Sequence, residues 1–329
     1  MTRPITLATG QWGDLPLGEL CAVAKHFGIN GLELVTNEHM FDVEKAASDR
    51  QYCEDLRTML AGYDLKVYAV SAAIVGQCVG DLYDRRLDGF APAKYAGKPE
   101  EIRKWAIEYM MKVPTACENY GIGIVTGFMG SPIWKFFYSF PPTPDKMVEE
   151  GYDEIVKLWT PILDEFERKK IKFALEVHPT EIAFDYYSTR KLFEKLKYHP
   201  AFGLNFDPSH LLWQGVNPSV FLQDYIRYVY HVHLKDVGIV KDGRTGMLGS
   251  HLPFGSTERG WNFRSLGRGN VNFEEIIRIL NEHHYNGPLS IEWEDNGMDR
   301  MTGLDEAVRF ARSLNYCSSD LKFDATMKN

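Results

Sequence analysis

The chain has 329 residues, 44% hydrophobic and 25% charged, which supplies a large core and matches the length at which an α/β barrel forms one domain. A formal net charge of −8 argues against a polyanion such as nucleic acid as partner. The five cysteines (Cys21, Cys53, Cys78, Cys117, Cys317) are odd in number, widely spread and lack any CxxC, so they fit scattered thiols in a reducing compartment rather than a disulfide framework or zinc knuckle.

The N-terminal MTRPITLATG enters a strand at once, which leaves no room for a signal peptide. No apolar stretch approaches the roughly 20 residues of a membrane span, and a cytoplasmic protein is expected. ITLAT (5–9) reads as the first strand, followed by a helix in which Leu20, Val23, Ala24 and Phe27 share a face. GLELV (31–35) precedes a helix near 42–62, and KVYAVSA (66–72) is the third strand. A polar stretch punctuated by Gly and Pro (80–98) reads as a long loop, then a helix runs from about 99 to 120 and stops at Gly121. GIVTG (123–127) is the fourth strand, followed by an aromatic loop (Trp134, Phe136, Phe137, Tyr138, Phe140) and a helix near 149–169. Strands five to eight fall at 171–177, 202–207, 229–234 and 288–293, with a long insertion at 237–271. Alternation of one hydrophobic run with one helical pattern, eight times, predicts a single (β/α)8 TIM barrel over 1–314. A doubly wound sheet is the competitor, but no Gly-rich phosphate fingerprint follows any strand. The polar residues 315–329 read as a tail, or as an arm onto a neighbour.

Four of the strands end on a polar residue: Glu176 in IKFALEVHP, Asp207 in FGLNFDPSH, His233 in YVYHVHLKD and Glu292 in GPLSIEWED. A carboxylate at the end of a buried strand is costly unless a cation or donor faces it. In a barrel these four come from neighbouring strands and reach the C-terminal mouth, where active sites of this fold lie. Three carboxylates and one imidazole in register point to one divalent metal ion. The donor set favours Mn²⁺ or Mg²⁺, with Co²⁺ or Zn²⁺ compatible. The alternative is four unrelated strand-end residues, each solvated or in its own ion pair.

These motifs, with LEVHPTE (175–181), NFDPSHL (205–211), HVHLKD (231–236), GRGNVNFEEI (267–276) and SIEWED (290–295), make the chain resemble the xylose isomerase-like barrels over nearly its whole length. It is similar to ketose 3-epimerases and to enzymes acting on 3-oxo-glycosides, including C-glycoside deglycosidase subunits. It departs from the DNA-repair endonuclease branch, which needs many more histidines and a basic surface, and lacks the bimetal motifs of xylose isomerase itself. The resemblance implies that Glu176, Asp207, His233 and Glu292 bind one metal and that Glu176 and Glu292 also pass the substrate proton. It implies a small-molecule carbohydrate substrate, with a homo-oligomer or a small accessory subunit as the expected assembly.

The chemistry expected of such a site is proton transfer through a metal-stabilised enediolate. A proton returned to the same carbon from the opposite face epimerises, and one returned to the neighbour isomerises. A leaving group β to the carbonyl would instead be expelled, which makes a lyase or deglycosidase acting on 3-oxo-sugars or their glycosides the alternative.

Around this core, His210 is a candidate to bind a substrate oxygen, against a helix-start residue bonded to backbone. His178, two residues beyond Glu176, points to the same side if the strand continues and is a candidate substrate ligand or general base, against a loop-structural role. Glu181 either orients one of these histidines or is a solvated loop acid. His231 is expected to be a hydrogen-bonded core histidine one layer deeper. Lys235 sits at the mouth, to pair with the carboxylates or polarise a carbonyl. Arg268, flanked by Gly267 and Gly269, is expected to approach an anionic group of the substrate, against pairing with Glu258, Glu274 or Glu275 to hold the insertion down. Trp12 and the aromatic loop are expected to form an apolar wall for the substrate, against simple packing.

Overall fold

Residues 2–319, Asp324 and Met327 are described in the structure, a computed structural model. The short β-branched and aromatic runs become strands because helices cover their outer faces and side chains fill the interior. Eight of them, β1 (Ile5–Ala8), β2 (Gly31–Val35), β3 (Lys66–Ser71), β4 (Ile124–Gly127), β5 (Lys172–Glu176), β6 (Phe202–Phe206), β7 (Val229–Leu234) and β10 (Leu289–Ile291), pair in parallel and close into a barrel. The closing pairs are β1 with β10 and β1 with β2. The ladder slips between Leu32 and Glu33 and again between Leu204 and Asn205. Such irregularities re-aim side chains, and both adjoin polar residues that face the barrel centre.

The outer helices are α1 (Leu17–His26), α2 (Val43–Ser48), α3 (Arg50–Ala61), α4 (Ala73–Gly80), α5 (Pro99–Tyr120), α6 (Asp145–Arg168), α7 (Tyr186–Lys195), α8 (Pro208–Trp213), α9 (Pro218–Tyr225), α10 (Phe273–Glu282) and α11 (Arg300–Leu314). The expected helix at 42–62 is two helices. Asp49 takes an extended conformation (φ −127°) and its carboxylate accepts the Gln51 N–H, so it caps a new helix instead of continuing the old one. The helix α4 has no counterpart in the sequence reading. Its Gly76 and Gly80 let it lie on the backbone after β4: a Cβ on Gly76 would fall 2.0 Å from the Phe128 carbonyl oxygen, and one on Gly80 2.3 Å from that of Met129.

The insertion at 237–271 is not all loop. It contains an antiparallel hairpin, β8 (Asp236–Ile239) with β9 (Trp261–Arg264), standing over the barrel mouth. Residues 315–319 have no regular structure, and Asn315 ties them to the segment just before β1 by donating to the Arg3 carbonyl at 2.7 Å. Most of the tail expected beyond them lies outside the described residues. Among the described residues no helix is long and apolar enough to cross a membrane.

Candidate metal centre and active site

At the mouth, one oxygen or nitrogen atom from each of Glu176, Asp207, His233 and Glu292 lies within 4.8 Å of the others. Glu176 closes β5 and is in register with Asn205 of β6. Asp207 follows β6 and begins α8, whose first residue, Pro208, needs no N–H partner. Asp207 Oδ1 accepts the Ser209 N–H at 2.7 Å and the Ser209 hydroxyl at 2.6 Å, while its Oδ2 is buried with no hydrogen-bond partner. His233 Nδ1 lies 3.3 Å from Glu176 Oε2 and 3.0 Å from Glu292 Oε2. An orphaned carboxylate oxygen beside two further acids and a ring nitrogen fits a divalent cation.

The electrostatics agree. Burial pushes the Asp207 carboxyl above the usual carboxylate range, against the opposing pull of His210 and Lys235. Burial and Glu292 push Glu176 the same way, but hydrogen bonds from His210 and His233 outweigh them and hold it low. Glu292 is likewise held low against burial, by Lys235 and His233.

Beneath this cluster lies a residue that sequence reasoning missed. Glu33, in the middle of β2, is 1% exposed. Its Oε2 lies 2.9 Å from His231 Nε2, 2.9 Å from His233 Nε2 and 2.9 Å from the Ser290 hydroxyl. Its Oε1 accepts the Thr126 hydroxyl at 2.5 Å. Burial opposes its ionisation, but His233 and His231 hold it well below the usual range. His231 is thus the core histidine the sequence reading expected. The clue to Glu33 was a charged residue on the inward face of an otherwise apolar strand, GLELV. Two amides were also missed: Asn205 donates to Glu176 Oε2 at 3.2 Å, and Gln11 donates to Glu292 Oε1 at 2.8 Å and Glu294 Oε1 at 2.9 Å.

Above the cluster, His210 Nε2 lies 3.1 Å from Glu176 Oε1 and 3.3 Å from Lys235 Nζ. Lys235 pairs with Glu292 at 3.2 Å and Glu294 at 3.1 Å, under the Phe263 ring. Burial works against its charge, but these carboxylates raise it well above its ordinary value. His178 packs edge-on against His210, with ring centroids 4.1 Å apart, and tilts against Phe128. Burial, then the neighbouring His210, pushes it down to about 3. The ring is held in its neutral form, and its Nδ1 lies 3.4 Å from the Thr180 hydroxyl. Glu181 is not solvated: it is fully buried, its backbone N–H donates to the His178 carbonyl at 2.9 Å, and its carboxylate is turned to the backbone, Oε2 accepting the N–H groups of Met129 at 2.7 Å and Gly130 at 2.8 Å.

His178, His210, Lys235 and Glu294 line the floor of a cavity of about 1140 Å³. Trp134, Phe137 and Tyr138 of the aromatic loop line it, as do Trp213 and the hairpin's Trp261 and Phe263. The Trp213 and Trp261 rings stack at 4.3 Å. The aromatic loop therefore lines the cavity, and Trp12 does not. Trp12 is 0% exposed, and the Arg300 guanidinium covers its ring at 4.4 Å. Arg268 is a second correction. It pairs with Glu306 of α11 at 2.6 Å on the barrel's outer surface, none of the three acids the alternative named. Its flanking glycines serve Asp236, whose carboxylate accepts the N–H groups of Gly267 and Gly269 at 3.1 and 2.8 Å. A Cβ on Gly269 would fall 2.2 Å from Asp236 Oδ1.

Comparison with known proteins agrees with this architecture. The family model described as xylose isomerase-like TIM barrel matches residues 21–314. The uncharacterized protein YfiH of Bacillus subtilis is 28% identical over 323 residues, covering 92% of this chain and 96% of its own length. Inosose dehydratase of Clostridium beijerinckii is 28% identical over 176 residues, covering 52% of this chain and 54% of its own. Among solved structures, the probable 3-DHS dehydratase AsbF of Bacillus anthracis superimposes with a TM-score of 0.66 at 17% identity, covering 93% of this chain and 97% of its own. The 3-keto-D-glucoside 4-epimerase YcjR of E. coli gives 0.66 at 14% identity, covering 94% and 99%. A barrel protein of Mycobacterium smegmatis in complex with magnesium gives 0.62 at 16% identity, covering 95% and 96%.

Proposed function

Because the chain belongs to the xylose isomerase-like TIM barrel family, we propose that it is a metal-dependent carbohydrate enzyme. It isomerises or epimerises a sugar by proton transfer at a carbon next to a carbonyl. The observation that carries this reading is the convergence of Glu176 and Glu292 on His233 Nδ1, at 3.3 and 3.0 Å, with the orphaned Asp207 oxygen beside them. Glu176, Asp207, His233 and Glu292 would hold the ion. Mn²⁺ or Mg²⁺ suits a set dominated by carboxylates. A divalent ion there supplies Lewis-acid stabilisation of the negative charge that develops when such a C–H is deprotonated.

The protein's own groups do the rest. One of the two glutamates takes the proton and the other returns one, a task worth roughly 10²–10⁴-fold in rate. His210 and Lys235 line the cavity floor and touch Glu176 and Glu292, so they orient the sugar oxygens above those carboxylates. His178 adds a neutral hydrogen-bonding edge. The aromatic walls exclude water and receive the apolar faces of the substrate.

The cavity itself favours a second reading. At about 1140 Å³ it exceeds the range of roughly 300–1,000 Å³ common for sites of drug-sized ligands, so it accommodates a glycoside as well as a free sugar. On such a substrate the same deprotonation expels a leaving group β to the carbonyl. The proton goes to a carboxylate, a carbon–carbon double bond forms, and the leaving group departs with its electron pair. The relatives include both dehydratases and an epimerase, which supports carbohydrate chemistry.

Incubation with keto-sugars and 3-oxo-glycosides in D₂O, read by mass spectrometry, separates the readings. Isomerisation or epimerisation predicts solvent deuterium on the carbon next to the carbonyl. A product lighter by water or by an aglycone assigns the lyase. Rearrangement without solvent deuterium points to a hydride shift and overturns proton transfer. Glu176→Gln and Glu292→Gln should each lower turnover by about 10²–10⁴-fold.

A further inference from the structure

We propose that Glu33 is the positioning residue of the metal centre: it holds His233 in the one tautomer whose Nδ1 faces the other three ligands. This role rests on the metal-centre reading above. The two nitrogens of His233 face opposite ways. Nδ1 looks up, at Glu176 and Glu292, and Nε2 looks down, 2.9 Å from Glu33 Oε2. A carboxylate only accepts, so without a cation both ring nitrogens face acceptors, Nε2 at Glu33 and Nδ1 at Glu292. A cation that takes the Nδ1 lone pair leaves the ring one hydrogen, and Glu33 holds it on Nε2.

Glu33 is built to remain such an acceptor. It receives His231 from below, Ser290 from β10 and Thr126 from β4, as well as His233. Four donors from three strands leave no direction from which it could turn away. His231 Nδ1, buried and without a partner, fits a lone pair there, with that ring's hydrogen on the Nε2 that faces Glu33. The slip in the ladder at Leu32/Glu33 sits where the side chain must be aimed at the barrel axis. Groups behind a ligating histidine fix the ring's orientation and raise its basicity, and their loss commonly weakens metal binding about 10–100-fold.

The test compares wild type, Glu33→Gln and His231→Asn for Co²⁺ affinity by chelator competition, with the cobalt absorption spectrum and the melting temperature of each metal-free protein. The glutamine offers His233 a carbonyl or an amide with no charge, so Co²⁺ affinity should fall about 10–100-fold. His231→Asn disturbs the same buried cluster but leaves the Glu33–His233 bond, so its affinity should stay close to wild type. Equal affinity in wild type and Glu33→Gln overturns the role of Glu33 alone. Equal losses in both variants reduce Glu33 to packing and overturn it too. No cobalt bound by wild type overturns the metal centre and this inference with it. Should Glu33→Gln fail to fold, ¹⁵N-histidine NMR of the zinc-loaded wild type decides: hydrogen on Nε2 of His233 supports the assignment, and hydrogen on Nδ1 overturns it.

Discussion

Asp207 divides its two oxygens between Ser209 and the barrel mouth: Oδ1 caps α8 through the Ser209 N–H at 2.7 Å, and Oδ2 is buried without a hydrogen bond, 3.7 Å from His210 Nε2. The helix cap thus aims the free oxygen. Asparagine caps as well as aspartate, so Asp207→Asn should leave the metal-free protein about as stable while weakening metal binding. His210→Ala should keep the metal and lose turnover, because His210 contacts Glu176 from the cavity side. Metal content after dialysis and kcat for both variants check this pair. Loss of metal from His210→Ala with retention in Asp207→Asn reverses the assignment.

Glu181 gives a dependence on pH that owes nothing to the metal cluster. Burial, with Asp81 beside it, pushes its carboxyl up to about 8, whereas in the unfolded chain it titrates near 4.3. Between those values the folded protein holds a proton that the unfolded chain has released. Stability contributed by this group is therefore greatest below about pH 4.3 and falls as pH rises towards 8. Glutamine keeps a carbonyl for the Met129 and Gly130 N–H groups without the charge. The melting temperature of Glu181→Gln should gain on wild type steadily from pH 5 to pH 8. A gap that stays constant across that range refutes the buried, raised carboxyl.

Two residues at opposite ends of expectation test the cavity. Arg268 is 52% exposed and paired with Glu306, a kind of surface pair worth about 0–1 kcal/mol, so Arg268→Ala should leave kcat/KM unchanged for phosphorylated and unphosphorylated sugars alike. Trp213 stacks on Trp261 at the cavity wall. Trp213→Ala should raise KM for a glycoside several-fold while changing that for a free sugar little. Steady-state kinetics on both substrates read the difference. Equal effects on the two would remove the wall from substrate selection.

Much of the barrel was legible because strand periodicity is local: each of its eight parallel strands is a short apolar run bounded by turn formers. Glu176, Asp207, His233 and Glu292 were legible for a related reason. Each ends its run, and the closed barrel brings all strand ends to one rim. The hairpin of β8 and β9 was not, since its strands lie inside a segment rich in Gly and charge, and their pairing is a contact between residues as far apart as Asp236 and Arg264. The break at Asp49 was missed because an aspartate inside a helical pattern caps or continues according to its backbone, which the pattern alone leaves open.

What the sequence determined by itself was the alternation of strands and helices and the identity of the polar residues at the strand ends, because both depend on neighbours a few positions away. What only the tertiary structure decided was direction. Arg268 turned outward because Glu306 of α11 lies there, and Trp12 was sealed under Arg300. Glu33 turned inward because His231 and His233, some two hundred residues later in the chain, offer the donors without which a buried carboxylate could not be held.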